Sequence, residues 1–114
     1  MEILNVTRKG DNVCIFHYSG ELTLEVIDRL KGEMWDYLEN EPCATIVMDL
    51  ADISFLDSSG IGFLVHLNNQ RKEENKGFYL YKPSQQVRKS LSLVRLFDYF
   101  RVLEEDKELN NLAE

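Results

Sequence analysis

Cysteine and histidine are both scarce in this sequence, and their scarcity limits the chemistry available to it. The 114 residues include only 2 cysteines and 2 histidines. Two cysteines are too few to build the disulfide framework of a small secreted domain. Cys14 and Cys43 both lie in apolar surroundings. We therefore predict that they are buried free thiols rather than a disulfide.

The sequence also lacks an excess of basic residues and any long apolar run. Its 13 Lys and Arg residues are outnumbered by 20 Asp and Glu residues, which gives a formal net charge of −7. This balance argues against nucleic-acid binding, which needs a basic surface to displace counterions from phosphates. No apolar run approaches the roughly 20 residues that span a bilayer. The N-terminus has no basic region followed by an apolar core, so we predict a cytoplasmic protein without membrane insertion.

What remains is the composition of an ordinary globular domain. The apolar fraction of 44% with 29% charged residues argues against disorder. A length of 114 residues is close to the usual size for one hydrophobic core. We find no internal repeat, linker or low-complexity segment, and predict a single domain spanning residues 1–114.

Strand and helix patterns alternate along the chain. Short apolar runs predict strands, and apolar residues three or four positions apart predict helices. Strands are expected at residues 3–8, 13–19, 45–50, 78–81 and within 96–103, and helices beginning near Leu24, Ser58, Ser84 and Glu104. Apolar residues occupy both faces of the second strand, which should therefore be covered on both. The order predicts an α/β fold with a single mixed β-sheet of about five strands covered by about four α-helices.

Three residues mark the expected ends of these helices. Thr23 is placed to cap the first helix. Pro42 should stop that helix, because the residue before a proline avoids helical backbone angles. Gly77 fits the position just past the C-terminus of the second helix.

A turn rich in short polar side chains joins the third strand to the second helix. Asp57, Ser58 and Ser59 crowd together ahead of Gly60 and an apolar run. Asp and Ser oxygens can accept from the unpaired N–H groups of a helix's first turn, so this is a good helix entry. We expect Ser59 to serve that role. The two hydroxyls also lie over the positive end of a helix, where a phosphate would be accommodated.

Enzymatic alternatives fit these residues poorly. A serine nucleophile needs a base, usually His, but His66 lies two turns along the helix that begins at Ser58. The glycine spacing of a nucleophile elbow is absent. Gly60 and Gly62 match a dinucleotide fingerprint, but Val65 occupies its third glycine position. With no P-loop either, we expect neither an enzyme nor a bound cofactor.

Metal ligands at useful spacing are also missing. Cys14 and His17 are three residues apart on a strand, so their side chains should point to opposite faces. Asp49, Asp52 and Asp57 could gather near a sheet edge, but loop and cap positions explain them better. We expect no metal site.

Residues 45–64 resemble the signature of the STAS domain family, and specifically of bacterial anti-sigma factor antagonists. In that family an apolar strand leads to an Asp-Ser/Thr-Ser/Thr-Gly-Leu/Ile-Gly turn, which here reads Asp57-Ser58-Ser59-Gly60-Ile61-Gly62. Further matches are Gly20-Glu21-Leu22 after the second strand, Gly77 before the fourth expected strand and residues 83–87 at the third helix. The resemblance covers nearly the whole chain and implies the STAS fold.

The resemblance implies a phosphorylation switch. In the family, the unphosphorylated antagonist binds an anti-sigma factor and so releases a sigma factor. The anti-sigma factor is a serine kinase that phosphorylates the first hydroxyl after the Asp, which is Ser58 here, and a PP2C-like phosphatase removes the phosphate. The implied partner-binding residues are Glu21, Thr23, Asp57, Ser58, Ser59, Gly60, Ile61 and Gly62. The two glycines are expected to let the backbone of the partner approach closely.

Two residues depart from the family's pattern. Thr23 stands where the family often has Asp, and Arg95 stands where a glycine usually follows the third helix. A residue other than glycine at position 95 must take a less comfortable backbone angle or end the helix in another way. Both departures leave the partner open. A STAS module that serves as a scaffold or interaction subunit of another signalling or lipid-transport assembly is the alternative.

Overall fold

The computed structural model describes residues 3–113, which form one mixed β-sheet with helices. The strands are β1 (Ile3–Lys9), β2 (Val13–Leu22), β3 (Thr45–Asp49), β4 (Ile53–Leu56), β5 (Gly77–Tyr81) and β6 (Val102–Leu103). The helices are α1 (Leu24–Asn40), α2 (Ser58–Glu73), α3 (Gln85–Leu93) and α4 (Asp106–Asn111), with a 3-10 turn at Phe97–Tyr99. The predicted α/β fold is confirmed, with six strands in place of about five.

Strand β2 pairs with three other strands of the sheet, namely β1, β3 and β4. The strand order is β1-β2-β3-β5-β6; β1 runs antiparallel to β2, and β3, β5 and β6 continue the sheet in parallel. The first half of β2 pairs with β3, and its last residues, Gly20 to Leu22, pair with β4 instead. Because β2 reaches beyond β3, it brings β4 and the start of α2 to one end of the sheet.

Residues 53–56, to which we assigned no strand, form strand β4. Gly20 pairs with Ile53 and Glu21 with Phe55, so one extra residue, Ser54, interrupts the register. Such a bulge breaks the alternation of side chains. Ile53 and Leu56 are buried, whereas the two residues between them are exposed. A strand of only four residues with this irregularity carries no period-two pattern in the sequence.

Both faces of β2 are covered, as predicted. Cys14 and Phe16 face the main core beneath α1, α2 and α3, while Val13 and Ile15 face a smaller cluster that includes Leu109 of α4. The predicted free thiols are confirmed, since Cys14 and Cys43 are both buried and unbridged. Burial, followed by the neighbouring Cys43 thiol, raises the pKa of Cys14 to about 12. The Cys14 thiol is therefore protonated and unreactive at neutral pH.

The helix ends agree with the sequence at two positions and differ at a third. Helix α1 ends at Asn40, before Pro42, as predicted. Arg95 takes the uncomfortable angle that was one of its two alternatives, with φ 59°. Gly77 does not follow α2, because Asn75, with φ 58°, turns the chain first. Gly77 instead begins β5, where an added Cβ would lie 2.8 Å from Thr45 Oγ1. None of the helices formed by residues 3–113 is long and apolar enough to cross a bilayer.

Candidate functional site

The carboxylate of Asp57 joins the starts of two helices. Its Oδ1 accepts a hydrogen bond from the backbone N–H of Gly60 at 2.8 Å, which caps α2. Its Oδ2 accepts from the backbone N–H of Leu24, the first residue of α1, at 3.2 Å. Each helix start carries a partial positive charge from its aligned peptide dipoles. A single negative side chain therefore holds two positive helix ends next to each other.

Thr23 does not cap α1 in the way we predicted. It occupies the N-cap position, but its side chain makes no capping hydrogen bond. Asp57 supplies the acceptor instead, and a charged carboxylate is a stronger acceptor than a hydroxyl. The two residues are far apart in the sequence, so this contact exists only once β4 has paired with β2.

Gly60 is required by the chain itself. It is buried, and an added Cβ would overlap the carbonyl oxygen of Leu22 and lie 2.6 Å from Leu56 Cδ1. Our expectation that Gly60 admits the backbone of a partner is therefore wrong, because the end of β2 already occupies that space. Gly62 differs: it is exposed, and an added Cβ would meet nothing within 4 Å.

Ser58 presents a free hydroxyl at the first position of α2. The residue is exposed, and its side chain has no hydrogen-bond partner among residues 3–113. Ser59 is half-buried, and its hydroxyl does not make the helix-entry bond we expected, because Asp57 makes it. Since the first N–H groups of a helix have no partner within it, the backbone around Ser58 offers donors to an added anion. The turn can therefore accept a phosphate.

Exposed apolar side chains flank this turn. Leu24 at the start of α1 is 71% exposed, and Phe55 in β4 is 44% exposed. Glu21, which is also exposed, lies opposite Phe55 across the β2–β4 pair. The sequence indicated neither apolar residue as a surface residue. Leu24 fits the apolar face of α1 but lies before its first buried residue, and Phe55 is turned outward by the bulge at Ser54.

The other residues that we expect to bind a partner differ in how far they are exposed. Ile61 is half-buried and packs against the main core, so little of it is available to a partner. Glu21, Ser58 and Gly62 are exposed. We call the surface formed by Glu21, Leu24, Phe55, Ser58 and Gly62 the switch surface.

Neither histidine serves Ser58. His66 is exposed on α2, and His17 is held on the sheet, where its Nδ1 lies 2.6 Å from Asp49 Oδ2 and its Nε2 lies 2.8 Å from Thr7 Oγ1. This row of side chains ties β1, β2 and β3 together. The side chain of His17 lies on the opposite face of β2 from Cys14, as the strand spacing predicted. No three His, Cys, Asp or Glu side chains within the described part of the chain are grouped to hold a metal ion.

The α/β sheet and the capped serine turn at its end define a STAS domain. The STAS domain family matches residues 5–109. The chain belongs to this family and, within it, to the anti-sigma factor antagonists. The anti-sigma F factor antagonist of Paenibacillus polymyxa is 30% identical to it over 105 residues, which are 90% of this chain and 86% of that protein.

Solved structures share the fold at lower sequence identity. A candidate anti-sigma factor antagonist from Thermotoga maritima has a TM-score of 0.80 at 23% identity and covers 99% of this chain and 94% of that one. Unphosphorylated SpoIIAA, an anti-sigma factor antagonist, has a TM-score of 0.76 at 18% identity, with 96% of both chains covered. Phosphorylated SpoIIAA from Bacillus has a TM-score of 0.72 at 17% identity and covers 96% of this chain and 99% of that one.

Proposed function

We propose that this chain is an anti-sigma factor antagonist that phosphorylation of Ser58 switches off. The unmodified protein binds an anti-sigma factor that is itself a serine kinase, and a sigma factor is released. A PP2C-like phosphatase removes the phosphate and restores binding. The observation that carries the proposal is the free, exposed hydroxyl of Ser58 beside a carboxylate that already caps α2. SpoIIAA, which has the same fold, is known in both an unphosphorylated and a phosphorylated form.

The fold should tolerate the phosphate. A phosphate adds about −1.5 to −2 charges and three acceptor oxygens. At Ser58 these oxygens meet the free N–H groups and the positive end of α2. Asp57 lies beside them and opposes part of this gain through like-charge repulsion. The two effects act in opposite directions, so we expect little net change in the stability of the domain.

We expect phosphorylation of Ser58 to weaken the interface with the partner rather than the fold. A partner that covers the switch surface must bury Leu24 and Phe55, and with them the side chain of Ser58. Desolvating an unmatched charge costs several kcal/mol, and each 1.4 kcal/mol changes affinity about tenfold. A phosphate on Ser58 can therefore cause the complex to dissociate without any movement of the backbone.

The first experiment maps the phosphorylation site. The purified protein is incubated with the candidate anti-sigma factor kinase and ATP, and the peptide containing residues 57–59 is analysed by mass spectrometry. We expect one phosphate on Ser58 in the wild-type protein and in Ser59→Ala, and none in Ser58→Ala. Phosphate on Ser59, or on a residue outside this peptide, would contradict the proposal.

A STAS scaffold without sigma-factor control is the second candidate, and the exposed Leu24 and Phe55 favour it equally. An apolar docking surface needs no phosphate to operate. The two functions differ in the outcome of one comparison. A scaffold partner should bind wild-type protein and Ser58→Asp with the same affinity, whereas an anti-sigma factor should lose affinity for the variant.

A further inference from the structure

Arg71 in α2 is a buried cation. Its side chain is 6% exposed. Its Nη2 donates to the carbonyl oxygen of Cys43 at 2.9 Å and its Nε to that of Gly77 at 3.4 Å. No carboxylate forms an ion pair with it among residues 3–113. A buried charge with no carboxylate in direct contact is costly. Burial lowers the pKa of this guanidinium, and the nearby Cys43 and Glu74 oppose part of that shift.

A cleft of about 220 Å³ opens beside Arg71, between the C-terminal halves of α1 and α2. Its apolar wall comes from both helices and from β3, and is formed by Leu38, Ile46 and Leu67. Trp35 and Gln70 line both this cleft and a neighbouring cavity. Small-molecule sites are usually concave, with apolar walls and a few polar groups that fix the orientation of the ligand. Here Arg71 is the buried charged group, and the other charged residues of the lining are exposed at its rim.

The guanidinium retains a donor for this cleft. Nη1 of Arg71 has no hydrogen bond to the described part of the chain. No buried side-chain nitrogen or oxygen there lacks a partner. Because Nη1 has no partner there, it cannot be one of the fully buried atoms and must keep some accessible surface. We assign this surface to the cleft that Arg71 lines. A planar guanidinium edge matches the two oxygens of a carboxylate.

The rim of the cleft limits the charge that a ligand can carry. Glu39, Glu74 and Lys76 line it and are exposed. Their sum is one negative charge, which would disfavour a dianion such as a phosphate monoester. Together with Arg71 the lining is neutral, so it has no excess positive charge to balance a dianion, whereas a ligand with one negative group needs only the guanidinium of Arg71 as its partner. The volume is below the roughly 300–1,000 Å³ that holds a drug-sized ligand, so the ligand must be small.

We propose that this cleft binds a small monocarboxylate with an aromatic or aliphatic body, its carboxylate on Arg71 and its body against Trp35 and the apolar wall. The site is separate from the switch surface. Arg71 lies 13 residues after Ser58 in α2, which is roughly 20 Å along the helix axis at 1.5 Å per residue. The proposal therefore does not depend on phosphorylation of Ser58.

The chain contains a single tryptophan, Trp35, which makes the cleft directly observable. Trp35 emission is titrated with phenylacetate and with hexanoate, and in parallel with their neutral amides, phenylacetamide and hexanamide. For acids of this size we expect a Kd on the order of 1 mM. The amides should bind at least about tenfold more weakly, because they leave the charge of Arg71 unpaired. Equal affinities, or no change in Trp35 emission at about 10 mM acid, would overturn the proposal.

Two variants locate the carboxylate. Gln70→Glu is nearly isosteric and places a competing carboxylate in the cleft, so it should abolish acid binding and leave amide binding unchanged. Arg71→Gln should do the same if circular dichroism shows it folded. Lys107→Gln removes one positive charge on α4, across the sheet, and serves as the matched control with unchanged binding. Acid binding that persists in Gln70→Glu, or that falls equally in Lys107→Gln, would contradict the assignment.

Discussion

Two serines at two helix starts have opposite surroundings. Ser84 precedes α3, and its hydroxyl accepts from the N–H of Val87 at 3.2 Å while donating to the carbonyl oxygen of Ile53 at 2.8 Å. Ser58 begins α2, and its hydroxyl has no partner among residues 3–113. Asp57 caps α2 in its place. The hydroxyl of Ser84 makes two hydrogen bonds within the fold, whereas the hydroxyl of Ser58 makes none to residues 3–113.

For the proposed phosphorylation of Ser58, the difference shows how that side chain could be modified without a loss of stability. A phosphate on Ser84 would break two internal hydrogen bonds. At the start of α2, the capping function has moved to the preceding residue, so the hydroxyl can be modified while the cap stays in place. The predictions below separate these structural and free roles, beginning with the largest expected effect.

Gly60→Ala should destabilise the protein most. The added Cβ would overlap the carbonyl oxygen of Leu22, and backbone atoms cannot easily move away. We expect a loss of about 3 kcal/mol in the free energy of unfolding, measured by urea denaturation. Gly62→Ala is the matched control, because its Cβ meets open space and alanine favours a helix interior by about 1 kcal/mol. Equal effects at the two positions would contradict the packing described here.

Asp57→Ala should have the next largest effect. The variant removes the acceptor for Gly60 in α2 and the acceptor for Leu24 in α1. Loss of one cap costs about 1 kcal/mol, so we expect about 2 kcal/mol in the same measurement. Hydrogen exchange should show faster opening at the starts of both helices. Faster exchange in α2 alone would mean that the bond to Leu24 contributes nothing.

Ser84→Ala and Ser58→Ala test the comparison itself. Ser84→Ala should cost about 1.5 kcal/mol of stability, because a cap worth about 1 kcal/mol and a hydrogen bond to Ile53 worth about 0.5 kcal/mol are lost. Ser58→Ala should stay within about 0.5 kcal/mol of wild type, as expected for an exposed side chain without partners. Thermal unfolding of both variants checks this. A larger loss for Ser58→Ala than for Ser84→Ala would reverse the roles assigned to the two serines.

The smallest effect concerns the start of α4, which depends on charge. The carboxylate of Asp106 accepts from Tyr81 and forms an ion pair with Lys82 at 3.0 Å, and these contacts lower the pKa of Asp106. A carboxyl whose pKa is lower in the folded state stabilises fully above its unfolded pKa, and this contribution disappears as pH falls through the folded pKa.

We therefore expect α4 to loosen in acid before the sheet does, as followed by the amide signal of Leu109 in NMR. Asp106→Asn should remove part of this acid dependence. An Asp106→Asn variant with an unchanged acid transition at Leu109 would show that the contact does not hold α4.

The sequence indicated where the candidate site lies in the chain but not how it is built. Asp57, Ser58 and Ser59 are neighbours in the chain, so local capping chemistry and family resemblance indicated the turn. The bond from Asp57 to Leu24 and the overlap of Gly60 with Leu22 arise only when distant segments meet. Short-range patterns cannot contain them.

Two fold details were missed for related reasons. Strand β4 has four residues, and the bulge at Ser54 removes the alternation that would indicate a strand. The end of α2 was assigned to Gly77, although Asn75 makes the left-handed turn. Asparagine is the other residue that adopts this conformation readily, so the glycine was the stronger signal but the wrong one.

The most direct test measures binding and stability on the same phosphorylated sample. Protein carrying phosphate on Ser58 and unmodified protein are each titrated with the anti-sigma factor and melted in parallel. We predict affinity at least about a hundredfold weaker for the phosphorylated form, with a melting temperature within about 3 °C of the unmodified one. Unchanged affinity, or loss of binding only because the phosphorylated domain unfolds, would contradict the account.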